Sequence, residues 1–168
     1  MYTGHAAIAT LVKGRRPSLP LALLVPAAFG PDWIDILSHV VHHPNPEVSH
    51  SIVSVVVCAL LLTAACAAVW RRAVDALLVG ATYASHWLAD FVTGLKPTWP
   101  NGPSVGLRLY TSPRLDFVVE SALIVVCWLS YRASLRPEVR NSILAWLMPI
   151  GLIVLQAVFA LLRAPALS

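Results

Sequence analysis

Ser51–Trp70 is a run of twenty nearly uninterrupted apolar residues. Such a run is stable across a bilayer only as a helix, because lipid offers the backbone no hydrogen-bond partners. Composition extends the argument to the whole chain. Hydrophobic residues make up 58% and charged residues 12%, about half the charged fraction of a soluble domain. The 168 residues therefore read as an all-α integral membrane protein with one compact domain. The expected architecture is a helical bundle of about four spans plus a short N-terminal re-entrant or interfacial helix. Residues 1–120 form its core, and 121–168 supply C-terminal scaffold helices.

Thr3–Val12 is too short to span and is broken by Lys13-Gly14-Arg15-Arg16-Pro17. Leu19–Val41 follows, interrupted by Pro26 and by Gly30-Pro31. Proline removes backbone hydrogen bonds, so this element is expected to be kinked or broken, with Asp32 just past the break. A basic cluster ahead of Leu19–Phe29 resembles a signal peptide, but no small-residue processing site follows, and the segment is read as mature protein. His42–Ser49 is a turn-forming linker. Ala73–Val92 and Leu115–Tyr131 are further spans, separated by a Pro-, Gly- and Trp-rich loop over Gly94–Pro113. Ser142–Leu162 is the last, with Pro149 and Gly151 inside it and neither an acidic residue nor a histidine. Cys58, Cys66 and Cys127 lie singly in apolar runs and read as packing residues.

The net charge of +4 does not indicate nucleic acid, because the basic residues cluster between apolar runs. Placing Lys13/Arg15/Arg16, Arg71/Arg72 and Arg132/Arg136/Arg140 on the cytoplasmic side gathers eight of the twelve basic residues there without forcing the alternation of spans. Lys96, Arg108, Arg114 and Arg163 then fall outside. From Arg72 to His86 is roughly 21 Å of helix, and from Leu19 to Asp32 roughly 20 Å. His50, Asp116 and Glu120 enter from the outer end, so these residues converge in the outer half of the bilayer. His5 joins them if its short helix dips inward.

His86 and Asp90 are spaced i, i+4, and so share one face of their helix. Ionisable groups in apolar segments face a partner, a cavity or an ion. A buried His–Asp hydrogen bond would explain that pair alone. Three histidines (His5, His50, His86) at one depth with Asp32 and Asp90 point instead to a divalent metal, zinc first. His39, His42 and His43 extend the stripe of Asp32 and Asp35 and read as interfacial residues near a helix end.

Gly4-His5, Pro31-Asp32, Ser49-His50-Ser51 and Ser85-His86-x-x-x-Asp90, in that order, resemble the bacterial inner-membrane metal-dependent hydrolases often described as LexA-regulated. Their motifs run G-H, P-D-x-D, H-R-G-x-T-H-S and S-H-x-x-x-D, and the resemblance covers roughly the first 115 residues. Ser85–Asp90, Gly106–Tyr110 and Glu120 also look like a subgroup with S-H-W-L-x-D, a Pro-rich loop, G-L-x-L-Y/W and a glutamate in the next helix. That family is in turn similar to zinc-dependent phospholipase C, a helical bundle with a multi-zinc phosphodiesterase site. The resemblance implies that His86, Asp90, His50 and Asp32 hold one metal and His5 a second, with Asp90 bridging. Pro31-Asp32-Trp33-Ile34-Asp35 is one residue longer than P-D-x-D, which leaves the choice of aspartate open. Asn45 stands where the first histidine of the third motif would be, so one or two ions are expected rather than three.

The reading is an inner-membrane hydrolase of a phosphoester in a lipid or lipid-linked substrate. A metal lowers the pKa of water and polarises the phosphoryl oxygens. Asp35 or Glu120 is the candidate general base. Lys96, Arg108 and Arg114 are candidates to receive the phosphate, with headgroup anchoring as their other reading. The rival class is a metal-binding transporter or sensor subunit, and the third is a structural protein with polar glue between its helices.

Overall fold

The computed structural model describes residues 3–41 and 46–163. Helices dominate, as backbone pairing in lipid requires. Helix α1 (Gly4–Arg15) ends on Lys13 and Arg15, cations that suit a helix C-terminus. After the Arg16–Pro20 link, α2 (Leu21–Ala28) contains Pro26 and α3 (Gly30–Val40) starts with Pro31 in its first turn. The two meet at Phe29 with a bend of 67°, so the expected break lies immediately before Asp32. A short turn, α4 (Pro46–Ser49), leads to α5 (Ile52–Trp70), whose N-terminus is capped by Ser51 Oγ accepting from Ser54 N–H. Arg71, in the left-handed conformation, turns the chain into α6 (Ala73–Thr93). The last helices are α7 (Pro113–Ala133), the single turn α8 (Pro137–Arg140) and α9 (Leu147–Arg163).

The loop between α6 and α7 is more ordered than its composition suggests. Strands β1 (Lys96–Pro97) and β2 (Ser104–Val105) pair antiparallel, Lys96 opposite Val105. Leu107 N–H then donates to the Phe91 carbonyl, which folds the hairpin back over the end of α6.

Ile52–Trp70 and Ile143–Leu162 are long and apolar enough to cross a membrane, and the bent α2–α3 pair makes a third if counted as one span. Among the described residues these criteria give two or three, so the expected number of about four is not confirmed. Helices α6 and α7 have 21 residues each, but α6 carries Asp75, His86 and Asp90, and α7 carries Arg114, Asp116, Glu120 and Arg132. These polar groups are turned inward: Asp75, His86, Asp90, Asp116 and Glu120 are all buried. Leu60, Leu61, Leu88, Val118 and Val126 project outward, where lipid replaces water as their solvent.

Helix α5 lies along α6, α1 along α7, and α7 along α9, with α2 against both α1 and α6. One core joins Ala9, Leu24, Ala28, Ala76 and Val79, and a second joins Ala7, Ile124 and Cys127. Small residues dominate, as expected where packing rather than water exclusion drives helix association. A Cβ at Gly80 would stand 1.9 Å from Thr63 Oγ1, so only glycine lets α6 approach α5 this closely. Helix α1 is enclosed, with Gly4, His5, Ala7, Ala9 and Thr10 buried. Of the two expectations for this segment, lying on the interface does not fit a helix packed among α2, α6 and α7. At its far end, Arg16 Nε stands 2.6 Å from Asp75 Oδ1, which ties the α1–α2 link to the start of α6.

Candidate metal centre

Four elements bring imidazoles and carboxylates to one point: α1 with His5, α3 with Asp32, the α4–α5 turn with His50, and α6 with His86 and Asp90. All but Asp32 are buried. The bend at Phe29 is what aims Asp32 inward, and glycine allows it. A Cβ at Gly30 would fall 2.0 Å from the Tyr83 ring, so α3 can leave α6 at this angle only without a side chain there.

His50 Nε2 lies 3.2 Å from Asp32 Oδ1 and 3.8 Å from Asp90 Oδ2. His86 Nε2 lies 3.6 Å and 3.4 Å from the same two oxygens. A tetrahedral zinc with bonds of about 2.1 Å needs ligand atoms about 3.4 Å apart, and these four nitrogen–oxygen separations lie near that length. Asp90 Oδ1, the other oxygen, is 3.3 Å from His5 Nε2. The His5 ring stacks on His86 with centroids 3.9 Å apart and planes at 8°. Two triplets could each hold an ion, His5/Asp32/His86 and His50/His86/Asp90; they share His86 and place Asp32 and Asp90 in different groups.

The ring nitrogens are set by their neighbours. His86 Nδ1–H donates to the Ala28 carbonyl at 2.9 Å, the tautomer that leaves the lone pair on Nε2. That Nε2, and both nitrogens of His5, are buried without a hydrogen-bond partner among the described residues. Buried polar atoms are ordinarily paired; here the two Nε2 atoms face the Asp90 carboxylate at 3.3 Å and 3.4 Å. His50 is oriented from its far side: Nδ1 is 3.3 Å from Asp35 Oδ2 and 2.8 Å from Ser49 Oγ, and Ser49 Oγ itself donates to Asp35. Carboxylates behind metal-ligating histidines commonly hold the ring in this way.

Asp32 and Asp35 therefore part company. Asp32 faces the shared point, whereas Asp35 stands behind His50 with its two oxygens engaged by Ser49 and His50, an unsuitable place for the general base expected from the sequence. Glu120, the other candidate base, is fully buried and turned to α1. Its Oε2 accepts from Thr3 N–H at 3.1 Å and Gly4 N–H at 3.2 Å.

Among the expected phosphate-binding residues, Lys96 reaches the cluster, its Nζ 2.6 Å from Asp90 Oδ2. Arg108 and Arg114 are exposed and form no ion pair with the cluster among the described residues. His39 Nδ1 stays on its own helix, 2.9 Å from the Asp35 carbonyl. His42, His43 and Asn45 lie outside the described residues, as does the side chain of Arg163. Three partners were not singled out from sequence: Ser49 behind Asp35, the Ala28 carbonyl behind His86, and Gln156, which bonds Asp116 and Thr3 beside Glu120. Gln156 gave a signal, being a polar residue in an otherwise apolar run.

A family model of inner membrane proteins, YdjM, matches residues 2–164. The chain belongs to the YdjM inner membrane protein family. The match covers all five ligand candidates and both terminal helices, and it agrees with the apolar exterior in making this an inner-membrane protein. No curated protein and no solved structure matches the chain, so the chemistry of this YdjM-family member rests on its own residues.

Proposed function

We propose that this YdjM-family protein is a metal-dependent hydrolase of a phosphoester in a lipid or lipid-linked substrate. The observation that carries the reading is the set His50 Nε2, His86 Nε2, Asp32 Oδ1 and Asp90 Oδ2, with spacings of 3.2–3.8 Å inside a lipid-facing bundle. Two imidazoles and two carboxylates suit zinc first among divalent metals. His5 adds a fifth donor through Asp90 and leaves room for a second ion. A divalent ion here supplies Lewis-acid polarisation of a phosphoryl oxygen and a water nucleophile near neutral pH.

The chain's own residues supply access and charge. Asp32 is the exposed member of the set, its side chain 40% accessible, so substrate approaches from the α3 side. Lys96 brings an ammonium to the same place, 2.6 Å from Asp90 Oδ2, where it would pair with the phosphate. Arg108 and Arg114, exposed near the α6–α7 hairpin, extend that basic surface, and guanidinium pairs with phosphate in bidentate fashion. With the basic clusters read as cytoplasmic, this end would face the outer half of the bilayer, where a lipid phosphoester arrives laterally.

The alternative is a metal-binding transporter or sensor subunit. One observation favours it: the 67° break beside Asp32, since discontinuous helices mark ion sites in transporters. Purified protein loaded with zinc and offered a chromogenic phosphodiester and a phospholipid separates the two. Turnover that disappears in His86→Ala supports the hydrolase. Bound metal without turnover, together with metal flux in proteoliposomes, would move the assignment to the transporter.

A further inference from the structure

A helix that begins inside a bundle has N–H groups that neither water nor a preceding turn can satisfy. The start of α1 meets this condition, because Thr3, Gly4 and His5 are all buried. Its donors converge on one atom. Glu120 Oε2 accepts from Thr3 N–H, Gly4 N–H and, at 3.3 Å, Thr3 Oγ1–H. The carboxylate also lies at the positive end of the helix dipole. A second layer flanks this contact. Thr3 Oγ1 shares its single proton between Glu120 Oε2 and Gln156 Oε1, the latter at 3.2 Å, and Gln156 Nε2 donates to Asp116 Oδ2 at 3.2 Å. Asp116 lies one turn before Glu120 on α7, and Asp116, Glu120 and Gln156 are each 99% or more buried.

The other end of α1 is fixed to the same helix. A Cβ at Gly14 would stand 2.7 Å from Tyr131 Cα, so α1 and α7 touch backbone to backbone there. Helix α1 is thus registered on α7 at both ends. His5 sits in the first turn, two residues from Thr3, and its Nε2 is 3.3 Å from Asp90 Oδ1.

We propose that Glu120, with Thr3 and Gln156, is a positioning device that holds His5 against Asp90 and so tunes the affinity of the centre for metal. This gives α7 and α9 a functional role through α1, in place of the general-base role for Glu120. The inference rests on the metal-centre reading and extends it to residues that touch no ligand atom.

Cobalt(II) titration of the full-length protein in detergent tests it, reading both affinity and the visible absorption of the bound ion. Glu120→Ala should weaken cobalt binding by up to about 10-fold, below the 10- to 100-fold cost of losing a direct partner of a metal ligand. It should also shift the spectrum toward that of His5→Ala. Glu120→Gln, which keeps an oxygen acceptor, should stay within a few-fold of wild type. The decisive comparison is the His5→Ala background. If Glu120 acts through His5, Glu120→Ala costs nothing further there. Thr3→Val, a gentler cut of the same link, should follow the same pattern and carries the test if Glu120→Ala does not fold. Full additivity of either variant with His5→Ala, or wild-type affinity and spectrum in both, overturns the proposal while leaving the metal centre standing. A wild-type protein that binds no cobalt would instead overturn the metal-centre reading itself.

Discussion

Asp35 lies behind His50 and Asp32 in front of it, so charge-neutralising substitutions at the two should weaken metal binding for different reasons. Asp32→Asn removes a direct donor, and metal should be lost on purification. Asp35→Asn leaves all four donors but frees the His50 ring, and affinity should fall about 10- to 100-fold. Competition with a chromogenic chelator measures both, and the reverse order would exchange the two assignments. Lys96 should behave in the opposite sense. Its ammonium is 2.6 Å from Asp90 Oδ2, where it competes with a cation for that oxygen. A hydrogen bond between charged groups contributes about 1.5–3 kcal/mol, so Lys96→Met should bind zinc on the order of tenfold more tightly while hydrolysing a phosphodiester more slowly. Weaker zinc binding in Lys96→Met would contradict this competition. At this scale the sequence was informative about which residues meet. His86 and Asp90 share a helix face by spacing alone, and depth counting adds His50 and Asp32. It was silent on what stands behind them, because Ser49 and the Ala28 carbonyl become partners only through contacts between separate helices.

The bend between α2 and α3 is the element on which the centre depends most. Pro26, Gly30 and Pro31 announced it in the sequence, since each disrupts regular helix pairing. What they could not announce is why Gly30 is glycine: the Tyr83 ring occupies the space a Cβ would take, a fact about α6. Gly30→Ala should therefore destabilise the protein by about 1–3 kcal/mol, as overpacking does, and should also lower metal affinity by displacing Asp32. Tyr83→Ala in the same chain should restore part of the metal affinity, though its own cavity lowers stability further by about 3–5 kcal/mol. Thermal unfolding in detergent, followed with and without zinc, checks the pair, and a Gly30→Ala protein indistinguishable from wild type would contradict the packing argument. The hairpin Lys96–Val105 was read only as a broken loop. Its two-residue strands give too little alternation to be recognised as strands, yet they begin with Lys96, which the hairpin brings to Asp90. Helix α1 was seen as too short to span, but its burial depends on Glu120 and Gln156, which lie more than a hundred residues away.

For the whole molecule, composition settled the solvent: apolar side chains face outward and polar ones inward, the arrangement lipid demands. The number of crossings was harder to read, because α6 and α7 carry the polar residues of the centre and so look less like spans than α5 and α9. Orientation remains a matter of charge. With Arg71/Arg72 and Arg132–Arg140 inside, the exposed Ser104 should face outward, and a cysteine placed there should react with an impermeant thiol reagent in intact cells. Labelling only after lysis would invert the arrangement. All of this turns on a metal ion at the junction of α1, α3 and α6, and elemental analysis of the purified protein is the most direct measurement of it. Wild type should contain zinc or a similar divalent metal near one equivalent or more, and His86→Ala and Asp90→Ala, still folded, should contain none. Folded, active protein without metal, or unchanged metal content in both variants, would contradict the account.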